Sequence, residues 1–239
     1  MPFLSFPQGK INYFHSQQFP NRPTIIFLHD SLGCVELWRD FPQIIGEKTK
    51  CNIFIYDRFG YGKSSPFVIE KRENDYMELE ADFLNEIIEK LQLENCILFG
   101  HSDGGSIALI AAAKYPKNSI GIITEGAHIF VEDITLEGIR AAKELYQTTN
   151  LKEKLEKYHG IKPKLFLKLG QKRGCIPNFT VGTSSIFYLQ FNVRLLYFKV
   201  LMISLEASIT WKEFRNVAHK RSFSSFQIKI KLNKQSPFL

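Results

Sequence analysis

Short apolar runs recur along the first half of the chain, separated by turn residues and by stretches with helical spacing. Ile11, Tyr13 and His15 alternate with polar neighbours, the period of a strand, and predict an early strand within a hairpin. Thr24 to Leu28 is a β-branched and apolar run ending at His29-Asp30-Ser31-Leu32-Gly33, which reads as a buried strand entering a turn. Val35 to Ile45 can form a helix, shortened or bent by Pro42. Asn52 to Tyr56 is a second buried run, leading into the turn-rich segment from Asp57 to Pro66. Glu78 to Leu91 gives the clearest helical pattern, with Leu79, Phe83, Leu84, Ile87, Ile88 and Leu91 assigned to one face. Cys96 to Phe99 is a third buried strand, Ser106 to Lys114 an Ala-rich helix stopped near Pro116, and Ile120 to Thr124 a further strand. Strands alternating with helices at this spacing predict an α/β fold, a mostly parallel sheet with helices on both faces.

Beyond Glu132 the pattern turns helical. Leu136 to Tyr158 can form one or two helices of mixed charge, and after Gly160 no regular period remains. Charge sharpens this boundary. The chain of 239 residues carries a net +7, but residues 1–160 hold 17 Lys/Arg against 22 Asp/Glu. Residues 161–239 hold 14 Lys/Arg against only Glu206 and Glu213. The basic character therefore belongs to one segment, and no nucleic-acid-binding signature accompanies it, so no nucleic-acid partner is expected. Cys34, Cys51, Cys96 and Cys175 form no C-x-x-C, which argues against a zinc site and fits a reducing compartment. The N-terminus lacks the pattern of a secretory signal. Ile186 to Ile203, the most membrane-like stretch, is interrupted by Gln190, Asn192, Arg194 and Lys199. A soluble cytoplasmic protein without a membrane partner is the expectation.

Chemistry concentrates at Gly100-His101-Ser102-Asp103-Gly104, a G-x-S-x-G sequence between a buried strand and a small-residue helix. That context is the strand–turn–helix of a nucleophile elbow, in which a strained Ser projects beyond the carboxyl edge of the sheet. Gly on either side lets helix and strand approach without Cβ clashes. Such a nucleophile needs an oxyanion hole. One donor would be the N–H of Asp103, at the start of a helix, and the second would come from the turn around Ser31 or Leu32. Donors of this kind contribute about 3 kcal/mol each to transition-state stabilisation.

Three blocks in order resemble the α/β-hydrolase superfamily of capped serine hydrolases. They are Phe27-Leu28-His29-Asp30-Ser31-Leu32-Gly33, then Tyr56-Asp57-Arg58-Phe59-Gly60-Tyr61-Gly62-Lys63-Ser64, then Gly100-His101-Ser102-Asp103-Gly104-Gly105. The common His-Gly after the first strand stands here as His29-Asp30. The resemblance covers residues 11–135 and implies an α/β-hydrolase core over residues 1–130 and a helical cap beginning in 131–160. It also implies Ser102 as nucleophile, the middle block as a buttressing turn with Asp57 as turn-former, and chain order Ser, acid, His. Residues 161–239 contain no Asp and no Gly-His, so the expected partners are missing from their usual motifs. Glu125, just past the Ile120 to Thr124 strand, is the candidate acid, and His219, the only late His, is the candidate base. His128 lies where a substrate would enter. His29 is expected to bond backbone near the oxyanion turn, and His101 to pack behind the elbow.

The implied reaction is acyl transfer from an ester or related carbonyl of a small molecule to water, with no cofactor and no metal. The oligomeric state is left open. The abrupt change of composition after Gly160 is what an A/T-rich gene read in a wrong frame produces; a divergent C-terminal half is the alternative. An inactive hydrolase remnant that retains a binding pocket is the second functional reading.

Overall fold

The computed structural model describes residues 1–67, 75–127, 141 and 144–160. The predicted hairpin is present as β1 (Phe3–Phe6) and β2 (Gly9–Ser16), paired antiparallel. Strand β3 (Thr24–Leu28) is buried along its whole length, as its unbroken apolar run requires. It is followed by β4 (Asn52–Tyr56), β5 (Cys96–His101) and β6 (Gly121–Glu125). The sheet order is β1-β2-β4-β3-β5-β6, with β2 antiparallel to β4 and every later pairing parallel. Because β3 lies between β4 and β5, the chain moves to one side of β3 and then crosses to the other. A reversal of this kind opens a crevice beyond the carboxyl ends of the flanking strands.

Period-two alternation divides the core into two layers. Ile26, Leu28, Phe54, Tyr56 and Leu98 face helices α2 (Tyr76–Lys90) and α3 (Asp103–Lys114), where they meet Ala81, Leu84, Ile107 and Ala111. Ile25, Phe27, Ile53, Ile55, Ile97 and Phe99 point the other way, against Val35 and the helix α1 (Phe41–Thr49). On that side Phe27, Trp38, Phe41 and Phe99 form an aromatic cluster with ring centroids 5.1 to 6.1 Å apart.

Three local expectations are corrected. The segment from Val35 to Ile45, predicted as a helix shortened or bent at Pro42, is a 3-10 turn, Val35–Trp38, and then α1, broken at Arg39 with φ 55°, while Pro42 sits in the first turn of α1. A proline ring is tolerated there because the N–H it lacks has no partner in a first turn. On α2, Leu79 is 50% exposed rather than part of the buried face. It stands five residues before Leu84, about 140° around the helix, and Ala81 occupies the buried position instead. Helix α3 begins at Asp103, three residues earlier than predicted, and takes in Gly104 and Gly105.

In the predicted helical region, residues 144–148 are helical and α4 spans Leu151–His159. Residues 161–239, with His219, and His128 lie outside the described residues. Among the described residues no helix is long and apolar enough to cross a membrane.

Candidate active site at the carboxyl edge of the sheet

Ser102 joins β5 to α3 with φ 52° and ψ −119°, a conformation that side chains with a Cβ rarely adopt. Its surroundings over-determine it. The Ser102 N–H donates to the Glu125 carbonyl at 2.8 Å, while its own carbonyl accepts the N–H groups of Gly105 at 2.9 Å and Ser106 at 3.1 Å. The flanking glycines are sterically required. A Cβ on Gly100 would stand 2.2 Å from the Gly104 carbonyl oxygen, and one on Gly104 would stand 2.0 Å from that of Leu28. These are backbone atoms of packed elements and cannot yield. Helix α3 therefore abuts the end of β3, which brings its N-terminus beside the His29–Gly33 turn.

Asp103, first in the helix, is buried, and its carboxylate accepts the Tyr76 hydroxyl at 2.7 Å. Its backbone N–H has no hydrogen-bond partner among the described residues. In the facing turn the Leu32 N–H donates to Asp30 Oδ1 at 2.6 Å and the Gly33 N–H to the Asp30 carbonyl at 3.3 Å. Of the two donors the sequence left open, Leu32 is thus occupied, and Ser31, which is exposed, has no backbone partner among the described residues.

His29 does what was expected of it. Its Nε2 accepts the Arg58 N–H at 3.1 Å, which leaves Nδ1–H to donate to the Asp30 carbonyl at 2.7 Å. Burial, reinforced by the Arg58 charge, holds this imidazole well below its ordinary pKa and neutral. The Arg58 guanidinium is itself fully buried and donates from Nη2 to the carbonyls of Asp30 at 2.8 Å and His29 at 3.3 Å. The turn is therefore held from below by Arg58, two residues past β4, and from within by Asp30.

Asp57 is the expected turn-former. Its Oδ1 accepts the Val35 N–H at 2.6 Å; its Oδ2 accepts Asn12 Nδ2 at 2.7 Å and the Lys63 N–H at 2.9 Å. Ser64 closes the loop by donating to the Asp57 carbonyl at 2.6 Å. Gly62 is essential to it, since φ is +45° and a Cβ would collide with the Asp57 carboxylate at 2.1 Å.

His101 departs from its expected position behind the elbow. Its Nδ1 lies 3.3 Å from Asp30 Oδ2, and the ring is partly open to solvent. Burial opposes its charge, but the Asp30 hydrogen bond and charge prevail and raise its pKa. Asp30 responds in kind: burial works against ionisation, yet the His101 and Leu32 hydrogen bonds bring its carboxyl down to about 2. Glu125 ends β6, in register with His101 on β5, and is buried. Burial raises its carboxyl, and the His101 charge offsets part of that rise. A cavity of about 40 Å³ opens between this His101–Asp30 pair and the apolar wall of Cys34, Leu37 and Trp38.

One residue escaped the sequence reading. His159, the last residue of α4, is 1% exposed and reaches both turns. Its Nδ1 accepts the Gly62 N–H at 2.9 Å and its Nε2 donates to the Leu32 carbonyl at 3.0 Å, with the ring edge-on to Tyr61. The only signal in the sequence was its spacing, four residues after Leu155, the other buried residue of an otherwise polar helix. The structure brings Ser102, Asp103, Ser31 and Glu125 to one edge of the sheet. Among the described residues no cluster of three or more His, Cys, Asp or Glu could hold a metal ion.

Residues 23–191 match a family profile described as alpha/beta hydrolase fold, more than two thirds of the chain and past the charge boundary at Gly160. Among curated proteins, the human "Serine hydrolase BPHL" is 33% identical over 143 residues, 57% of this chain and 47% of that protein. The "Probable proline iminopeptidase" of Leptolyngbya boryana is 28% identical over 116 residues, 48% of this chain and 34% of that protein. The matched region thus spans less than half the length of either relative. A carboxylesterase structure from Nitrososphaera gargenis superposes with a TM-score of 0.55 at 19% identity, covering 83% of this chain and 72% of that one. That likeness concerns the fold alone.

Proposed function

The chain belongs to the alpha/beta hydrolase fold family, and from that premise we propose that it is a serine hydrolase that cleaves an ester or related carbonyl bond of a small molecule. The observation that carries this reading is the Ser102 backbone at φ 52° and ψ −119°, fixed by the Glu125 carbonyl and by glycines that admit no Cβ. Strain of this kind persists where the surrounding fold over-determines it, and it clusters at reactive side chains. The human relative, 33% identical over 143 residues and named a serine hydrolase, supports the same chemistry.

In this mechanism the Ser102 hydroxyl attacks the carbonyl carbon while a base takes its proton. His219 is assigned as that base and Glu125 as the acid that orients it, with His128 contacting substrate. Charge develops on the carbonyl oxygen, and the N–H groups of Asp103 and Ser31 receive it, since Leu32 is engaged by Asp30. The tetrahedral intermediate collapses, the base returns the proton to the leaving alcohol, and water then attacks the acyl-enzyme by the same route.

Hydrolysis of p-nitrophenyl acetate tests the proposal. Ser102→Ala lowers kcat by about 10⁴-fold or more. A folded Ser102→Ala protein with turnover within tenfold of wild type contradicts it.

A further inference from the structure

The oxyanion turn is fixed from two sides at one residue. Asp30 Oδ1 holds the N–H of Leu32 at 2.6 Å, and His159 Nε2 holds its carbonyl at 3.0 Å. Asp30 is local, two residues away, but His159 arrives from α4, 127 residues along the chain. The same imidazole accepts the N–H of Gly62, at the centre of the turn that Asp57 organises. One ring thus joins three separate segments: the helix α4, the oxyanion turn and the buttressing turn.

Its chemistry is specified by its partners. Gly62 N–H is only a donor, so Nδ1 must be unprotonated; the Leu32 carbonyl is only an acceptor, so Nε2 must carry the hydrogen. A neutral imidazole in this single tautomer satisfies both, and its ring nitrogens are about 2.2 Å apart, the spacing of the O and N of a carboxamide. His159 is 1% exposed, its bond to Gly62 is buried and its bond to Leu32 half-buried, so losing the ring withdraws a partner from each turn.

We infer that His159 is a positioning residue for the oxyanion hole: from α4 it clamps Leu32 and Gly62 so that the neighbouring Ser31 N–H is held at the angle the developing oxyanion requires. The inference rests on the serine-hydrolase reading above. It acts on the transition state, because Ser31 receives charge only as the carbonyl carbon becomes tetrahedral, and therefore on kcat rather than on KM.

Two variants test it. His159→Phe keeps an aromatic ring against Tyr61 and removes both hydrogen bonds; His159→Gln restores a donor and an acceptor at the imidazole spacing. With p-nitrophenyl acetate, His159→Phe lowers kcat by about 10- to 100-fold with KM changed less than threefold, the effect of misplacing a group near the reaction. His159→Gln recovers most of that loss. Circular dichroism and thermal melts establish that both variants fold. A folded His159→Phe with wild-type kcat overturns the assignment, as does a His159→Gln no better than His159→Phe. Failure of the underlying reading looks different: wild-type protein neither turns over ester nor reacts at Ser102 with a fluorophosphonate, and the assignment then falls with it.

Discussion

Gly104 sits where the end of β3 and the start of α3 come closest, and its missing side chain is what lets Ser102 project beyond the sheet. Gly104→Ala places a Cβ 2.0 Å from the Leu28 carbonyl oxygen, a backbone atom with no rotamer to escape into, so one element must move. The expected loss is about 3 kcal/mol of unfolding free energy in urea titration. Gly126→Ala is the control, a position of positive φ with open space around it, expected to lose only about 1 kcal/mol. Equal losses at the two positions would remove the steric argument for the elbow. Residues of this kind were legible in the sequence because local geometry dictates them: a G-x-S-x-G turn between strand and helix needs glycine wherever it stands. His29 was legible for the same reason. His159 was not, because its meaning lies in two partners from distant turns. His101 was misjudged because its partner, Asp30, comes from another strand's turn.

Among the elements, the buried strands were the most legible. Thr24 to Leu28, Asn52 to Tyr56 and Cys96 to Phe99 are apolar on both faces because helices cover both, and a run of that composition has few other places to go. Helix faces were harder. On α2 the periodicity admitted Leu79 to the apolar stripe, but α3 packs against only part of that stripe, and Leu84 faces it while Leu79 meets solvent. Leu84→Ala is expected to cost about 3 kcal/mol, the range for a fully buried leucine, and Leu79→Ala less than about 0.5 kcal/mol, both read from urea midpoints. A reversed order would mean that α2 is rotated on its axis. The break between Val35–Trp38 and α1 was legible only in part: Pro42 announced a short or bent helix, but the turn at Arg39 did not show in the pattern. The Asp57 carboxylate, just past β4, anchors the Val35 N–H at the start of the 3-10 turn, a contact that no local pattern announces.

For the whole molecule, the sheet order carries the functional argument, because it gathers the ends of β3, β5 and β6 at one edge and Asp57 and Arg58 beneath them. Alternating strands and helices made that architecture legible, and the family match over residues 23–191 agrees with it. The charge division at Gly160 was legible too, but composition alone does not say what residues 161–239 contribute, and His219 lies there. The proposed activation of Ser102 as a nucleophile can be tested by one measurement without knowledge of the substrate. Wild-type protein and Ser102→Ala are incubated with a fluorophosphonate, digested and mapped by mass spectrometry. One phosphonyl adduct is expected in wild type, on the peptide carrying Ser102, and none in Ser102→Ala; folded wild-type protein with no adduct at Ser102 would contradict the proposed nucleophile.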